Sequence, residues 1–322
     1  MKRIAVLTSG GDCPGLNPCI RSIVRSALAS GLVVVGVRRG WKGLLEDNVV
    51  EMSVRSVAGI VNRGGTILHS SRCPEFHEEE HRSRAVETLR RHRIDGLVVL
   101  GGNGTLQGAW ALSAQTDVPV VGVPKTIDND VGGTEYALGF DTAVNTAVEA
   151  IDKIRDTATS HERLFLVEVM GRDHGVLALE VALASGAEAM IVPETQTDIE
   201  AICRTLDEAR SHGKKSTIVV VAEGDEAGGA YEVARQIGDR SLYEPRVSVL
   251  GYIQRGGAPS ARDRVLGGLF GKAAVDALIA GDGGKLVALR HGKIALVGLA
   301  TAWKETPTLD ERRLELARVL AS

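Results

Sequence analysis

No run of apolar residues in this 322-residue chain is long enough to cross a bilayer. Stretches such as Leu32–Val35 and Ile218–Ala222 fall far short of the ~18 to 20 residues a spanning helix needs. The run Met1-Lys2-Arg3-Ile4-Ala5-Val6-Leu7 enters a strand-like pattern without the apolar region or small-residue cleavage site of a secretory leader. A cytoplasmic protein that spans no membrane is therefore expected. An excess of charge of one sign is also missing. Lys and Arg number 38 against 41 Asp and Glu, a formal net charge of −3, so no strong basic field attracts nucleic acid or anionic lipid. Aromatic residues amount to only 3%. The four cysteines, Cys13, Cys19, Cys73 and Cys203, show no CxxC spacing, and a chain this long can bury its core without disulfide staples, so reduced thiols are expected. With 44% hydrophobic and 25% charged residues the chain is not disordered.

What it has in excess is glycine: 38 of 322 residues, about 12% against a usual ~7%. No collagen-like or low-complexity period accounts for them, so they are expected in tight turns and where backbone meets ligand. Short β-branched runs alternate with helical patterns. Strands are expected at Ile4–Leu7, Val33–Val37, Asp95–Leu100 and Val118–Val123, and again at Arg163–Val169, Ala189–Val192, Thr217–Ala222 and Val247–Gly251. Helices are expected at about Asn17–Ser30, Asp141–Thr159, Gly175–Ala184, Asp198–His212 and Tyr231–Ile237. This rhythm predicts an α/β protein of βαβ units with largely parallel sheets. No Pro- or Ser-rich linker separates the two series, so close packing rather than tethering is expected.

In open α/β sheets ligands bind beyond the carboxyl ends of the strands, and three such turns stand out. Thr8-Ser9-Gly10-Gly11-Asp12-Cys13-Pro14-Gly15-Leu16-Asn17 follows the first strand and offers backbone N–H groups to an anion. Gly101-Gly102-Asn103-Gly104-Thr105 enters a later helix; it is no Walker loop, and Gly108 falls one residue too late for G-x-G-x-x-G, which weakens a dehydrogenase reading. Pro124-Lys125-Thr126-Ile127-Asp128-Asn129-Asp130 carries two acids two residues apart, able to divide proton acceptance and cation binding, as phosphoryl transfer requires. Singly, each of these turns reads as well as structural punctuation. In the second half, Arg163, Arg172, Arg246 and Arg255 lie at or after strand ends, where a guanidinium clamps phosphate.

The ordered series Gly-Gly-Asp-x-Pro-Gly-x-Asn at 10–17, Arg-Gly-Gly-Thr at 63–66, Pro-Glu-Phe at 74–76, Pro-Lys-Thr-Ile-Asp-Asn-Asp at 124–130, Val-Met-Gly-Arg at 169–172 and Gly-x-Ile-Gln-Arg-Gly-Gly at 251–257 resembles the bacterial 6-phosphofructokinase family. The resemblance implies two Rossmann-like α/β/α lobes: a nucleotide-binding lobe of 1–140 plus 257–305 and a fructose 6-phosphate-binding lobe of 141–256 plus 306–322. It implies transfer of the γ-phosphoryl group of ATP to the 1-hydroxyl of fructose 6-phosphate. Asp128 would accept the hydroxyl proton, and Thr126 and Asp130 would position the hydroxyl and a magnesium ion. Arg172 and the Gly11 backbone would stabilise charge on the moving group. Arg163, Arg246, Tyr252 and Arg255 would hold the sugar phosphate, with Met170, Gly171 and Glu223 beside the sugar. Gly11, Trp41, Arg72, Cys73, Gly102, Asn103, Gly104, Thr105 and Lys125 would bind the nucleotide. Because Arg163 and Arg246 reach a neighbouring subunit's site in the family, a homotetramer is implied. An ADP or phosphoenolpyruvate effector would meet Arg21, Arg25, Arg155, Glu188 and Lys214, although Gly59 replaces an acidic residue there.

Three positions depart from the family pattern. Asn103 stands where a magnesium-binding Asp is usual, and Tyr252 stands for a His beside the sugar phosphate. Lys125 replaces the Gly of allosteric ATP enzymes, as in pyrophosphate-using members, whereas Gly104 leaves room for a nucleotide. The alternatives are a pyrophosphate-dependent enzyme and, from another class, a catalytically weak subunit that senses sugar phosphate or nucleotide.

Overall fold

The computed structural model describes residues 1–305 and 307–321. Its strands are β1 (Arg3–Thr8), β2 (Val33–Val37), β3 (Val49–Met52), β4 (Gly96–Gly101), β5 (Val120–Pro124), β6 (Leu164–Val169), β7 (Ala189–Ile191), β8 (Thr217–Ala222), β9 (Arg246–Val249), β10 (Lys285–Arg290) and β11 (Lys293–Gly298). The helices are α1 (Leu16–Ala29), α2 (Gly40–Leu45), α3 (Glu79–Arg91), α4 (Asn103–Ser113), α5 (Phe140–His161), α6 (Val176–Ser185), α7 (Ile199–Ser211), α8 (Gly229–Arg240), α9 (Ala261–Ala280), α10 (Thr301–Lys304) and α11 (Glu311–Ala321). Two compact units result, Met1–Thr142 with Arg255–Pro307 and Ala143–Gln254 with Thr308–Ser322.

The first unit is built on a seven-stranded sheet of order β11-β10-β5-β4-β1-β2-β3. Its central strands are parallel, and β3 and β11 close the two edges in antiparallel pairing. β1, β4 and β5 are buried along almost their whole length, which is why their sequences are continuous apolar runs rather than alternating ones. Thr8 pairs with Leu100 and Gly101 with Pro124, so three adjacent strands end at one level. The turns that follow them emerge side by side at the carboxyl edge of the sheet. α1 and α9 pack on one face, and the Trp41, Leu44, Phe76, Leu89, Leu106 and Leu112 cluster fills the other.

The second unit carries a four-stranded parallel sheet of order β7-β8-β6-β9, its core made by Leu166, Ile191, Leu206, Val219, Val221, Val233 and Ile237. Asp198 caps α7 by accepting the Ala201 N–H at 2.9 Å. α8 runs from Gly229 to Arg240, beyond both ends of its apolar pattern; at its start Glu168 accepts the Ala230 N–H at 2.8 Å and satisfies one donor of the first turn. Among the described residues, no helix is long and apolar enough to cross a membrane.

Candidate active site

The site in the first unit is assembled from the three level turns. After β1, Gly10 adopts φ +83°, a conformation costly for any side chain bearing a Cβ. After β5, Asn129 takes φ +51° and pins the turn by accepting the Ala137 N–H at 2.8 Å and donating to the Glu135 carbonyl at 3.0 Å. Asn129 thus shapes the loop that presents the two acids on either side of it, a role the motif alone did not assign. Asp128 and Asp130 are both buried, at 2% and 7% exposure. The Asp128 N–H donates to the Thr126 hydroxyl at 3.1 Å, which brings that side chain and the carboxylate into one tight turn.

Asn103, the first residue of α4, donates its amide to the Asp130 carbonyl at 3.0 Å and to Asp130 Oδ2 at 3.1 Å. Asn103 Oδ1 and Asp130 Oδ1 are buried and, among the described residues, have no hydrogen-bond partner. A carboxylate oxygen and an amide oxygen left in this way suit a magnesium ion, which takes one or two protein oxygens and completes its shell with water and phosphate.

Lys125 is 4% exposed and its ammonium donates to the Gly11 carbonyl. Burial pushes its pKa down, and the Asp12 and Asp128 charges partly oppose that shift. Thr105 is buried against Gly101 and Gly10. No atom lies within 4 Å of the position a Cβ would take on Gly104, whereas Gly102 borders the Lys125 carbonyl. Trp41 stacks on Phe76 with ring centroids 4.2 Å apart and planes 12° from parallel, and among the described residues its buried indole N–H has no acceptor. Gly108 allows α4 to pass this stack, since a Cβ there would lie 3.1 Å from Trp41 Nε1. Arg72 is exposed, and the half-buried Cys73 thiol is pushed up to about 11 by burial. The Arg255 guanidinium lies against Gly11: a Cβ on Gly11 would be 3.1 Å from Nη1.

In the second unit, Arg172 donates its backbone N–H to Glu223 Oε1 at 2.9 Å, and the Met170 N–H donates to Gln254 Oε1 at the same distance. Gly171 takes φ +145°, and a Cβ there would lie 2.6 Å from the His174 carbonyl, so both the dihedral and the space favour glycine. Tyr252 is largely exposed. Arg163 and Arg246 line one basic cavity of about 550 Å³ together with Lys214. Glu188, almost fully buried, accepts the Ile218 N–H at 2.7 Å and faces Arg155 Nη1 at 3.4 Å and Lys214 Nζ at 3.8 Å. Arg155, Glu188 and Lys214 therefore form one cluster; Arg21 and Arg25 lie one turn apart on α1 of the first unit.

A phosphofructokinase family model matches residues 3–278. The chain is 51% identical over 321 residues to ATP-dependent 6-phosphofructokinase 1 of Thermus thermophilus, covering 100% of both chains. It is 47% identical to the ATP-dependent 6-phosphofructokinase of Thermotoga neapolitana, again over all of both. Among solved structures, phosphofructokinase of Saccharomyces cerevisiae superposes with a TM-score of 0.89 at 32% identity, over 94% of this chain and 45% of the yeast chain. A pyrophosphate-dependent phosphofructokinase of Marinobacter aquaeolei superposes with a TM-score of 0.85 at 23% identity, over 97% of this chain and 86% of that one; this likeness is one of fold.

Proposed function

This chain belongs to the phosphofructokinase family, and on that premise we propose that it transfers the γ-phosphoryl group of ATP to the 1-hydroxyl of fructose 6-phosphate, yielding fructose 1,6-bisphosphate and ADP. The observation that carries this reading is the turn after β5, where Asp128 is buried beside Thr126 and the neighbouring Asp130 is joined to Asn103. In such transfers positioning and electrostatic stabilisation supply most of the rate, so a buried base and fixed donors are the required parts.

Asp128 takes the proton of the 1-hydroxyl as its oxygen attacks phosphorus, with Thr126 orienting that hydroxyl. The Gly11 N–H and Arg172 stabilise charge spread over the transferred oxygens. Lys125 adds positive charge at the donor, Trp41, Arg72, Cys73 and residues 102–105 take the nucleotide, and Arg163, Arg246, Tyr252 and Arg255 take the sugar phosphate, with Met170, Gly171 and Glu223 beside the sugar. Asn103 and Asp130 would hold magnesium, which when bound screens the phosphate charge. The working assembly is a homotetramer, and an anionic effector such as ADP or phosphoenolpyruvate engages Arg21, Arg25, Arg155, Glu188 and Lys214. Product formation from fructose 6-phosphate with ATP and with pyrophosphate, compared side by side in one preparation, tests the reading; absence of the bisphosphate with ATP refutes it.

A further inference from the structure

The turn after β1 is gripped by residues that none of the motif assignments uses. Gly10 donates its N–H to the Ser71 carbonyl at 3.2 Å, and its own carbonyl accepts the Ser70 hydroxyl at 2.6 Å. The Ser9 hydroxyl also donates to the Ser71 carbonyl, at 3.2 Å, so the whole start of the turn is tied to residues 70 and 71. The Gly10–Gly11 peptide is trans, and in a trans peptide the carbonyl and the following N–H point in opposite directions. The Gly11 N–H is thereby aimed away from Ser70. Among the described residues it has no protein acceptor, and Gly11 is only half-buried. The next peptide is held separately, its carbonyl taking the Lys125 ammonium.

We propose that Ser70 is a positioning residue for phosphoryl transfer: by holding the Gly10 carbonyl, its hydroxyl fixes the direction in which the Gly11 N–H is presented to the transferred group. This role rests on the assignment of the Gly11 N–H to that group under Proposed function. A peptide flanked by two glycines has the least intrinsic restraint on its orientation. Without the hydroxyl it can rotate, and a carbonyl oxygen then faces an anionic group where a donor is needed. Preorganised donors act on charge that develops during transfer, so their loss falls on turnover rather than on substrate affinity.

The experiment compares Ser70→Ala, Ser70→Val and Ser70→Thr in the full chain. Thr and Val have the same shape, so the difference between them isolates the hydroxyl from packing. Ser70→Ala and Ser70→Val are expected to lower kcat by about 10- to 100-fold, with KM for ATP and fructose 6-phosphate within about threefold, while Ser70→Thr keeps at least about a third of the turnover. Titration calorimetry with ADP plus aluminium fluoride in the presence of fructose 6-phosphate reads the same effect without turnover. Ser70→Ala is expected to weaken that complex about tenfold and leave the affinity for ADP alone unchanged. Wild-type kcat in Ser70→Ala, or equal kcat in the Val and Thr variants, overturns the role. A wild-type chain that turns over but binds ADP plus aluminium fluoride no more tightly than ADP overturns the Gly11 assignment itself, and the Ser70 role with it.

Discussion

Asn103 holds Asp130 through two donated hydrogen bonds, at 3.0 and 3.1 Å, and each residue keeps one buried oxygen that has no partner among the described residues. An aspartate at position 103 could not donate either bond, and two facing carboxylates would repel each other. The neutral amide therefore organises the pair when no cation is bound, at the cost of one negative charge for a cation that arrives.

Asn103→Asp should accordingly lower the magnesium concentration for half-maximal activity several-fold, while lowering the thermal midpoint measured in chelator. Magnesium should restore that midpoint more in the variant than in the wild type. A magnesium requirement that is unchanged or weaker shows that position 103 does not face the metal.

Asp128→Asn should lower kcat by roughly 10² to 10⁴, the range for removing a general base, and leave fructose 6-phosphate affinity within a few-fold. Steady-state kinetics at saturating donor measure this. Turnover above about a third of wild type removes Asp128 from the role of base.

The parts of this architecture that were legible in sequence are those whose cause is local. β1, β4 and β5 are short, mostly apolar runs; β4 ends in Gly101, β5 in Pro124, and β1 is followed by Ser9-Gly10-Gly11, so both the strands and the turns that follow them announce themselves. β3, β10 and β11 carry no such local signal. β3 is a four-residue edge strand with the exposed Glu51 in its middle, and β10 joins the sheet by pairing Leu286 with Gly122, far away in the chain. The Asn103–Asp130 pair is likewise a product of register: two turns 27 residues apart in sequence become neighbours only because β4 and β5 end together. Ser70 carries no signal of residue type at all, since any surface loop has serines; only the 2.6 Å bond to Gly10 distinguishes it.

Glu188 is a buried carboxylate with Arg155 and Lys214 beside it, and Lys214 also donates to the Ala321 carbonyl at 3.1 Å. An anion recruiting either cation must compete with these bonds, so its binding is coupled to the ends of β7 and α11. Rates at subsaturating fructose 6-phosphate should therefore change on titration with ADP or phosphoenolpyruvate, and Lys214→Ala should reduce that response about tenfold or more in half-effective concentration. A flat response to both compounds in the wild type rejects the effector assignment.

Acid stability supplies a separate check on the first unit. Asp47 accepts from Arg91 at 2.6 Å and pairs with His92 Nε2 at 2.5 Å, and the Arg91 bond, followed by that to His92, holds its carboxyl below the usual carboxylate range. The folded state then binds fewer protons than the unfolded one in this range. The stabilisation is present above the unfolded pKa and is lost as pH falls through the depressed folded value. Asp47→Asn should lower the thermal midpoint at pH 7, and its difference from wild type should shrink as pH falls through and below the ordinary carboxylate range. A difference that persists in acid assigns the effect to something other than the carboxylate charge.

Positions 104 and 125 are proposed to set the choice of donor. Gly104 is the second residue of α4, where a Cβ would meet no atom within 4 Å, so an aspartate fits the protein there and its charge is favourable at a helix amino terminus. Loss of ATP use in Gly104→Asp would therefore not come from misfolding, and is the outcome expected if a nucleotide phosphate lies beside position 104. Lys125, by contrast, attracts phosphate weakly, because its ammonium is buried, donates to the Gly11 carbonyl, and is pushed down in pKa by that burial. Permission at 104 is expected to outweigh attraction at 125, since overlap and like-charge repulsion are harder to escape by rotamer change than a weak attraction is to forgo. ATP should be the preferred donor by kcat/KM. Gly104→Asp should depress kcat/KM for ATP by at least about tenfold more than for pyrophosphate, and Lys125→Gly should weaken whatever pyrophosphate use exists more than ATP use. Parallel assays of the wild type and both variants with the two donors decide it, and a wild-type enzyme silent with ATP but active with pyrophosphate reverses the assignment.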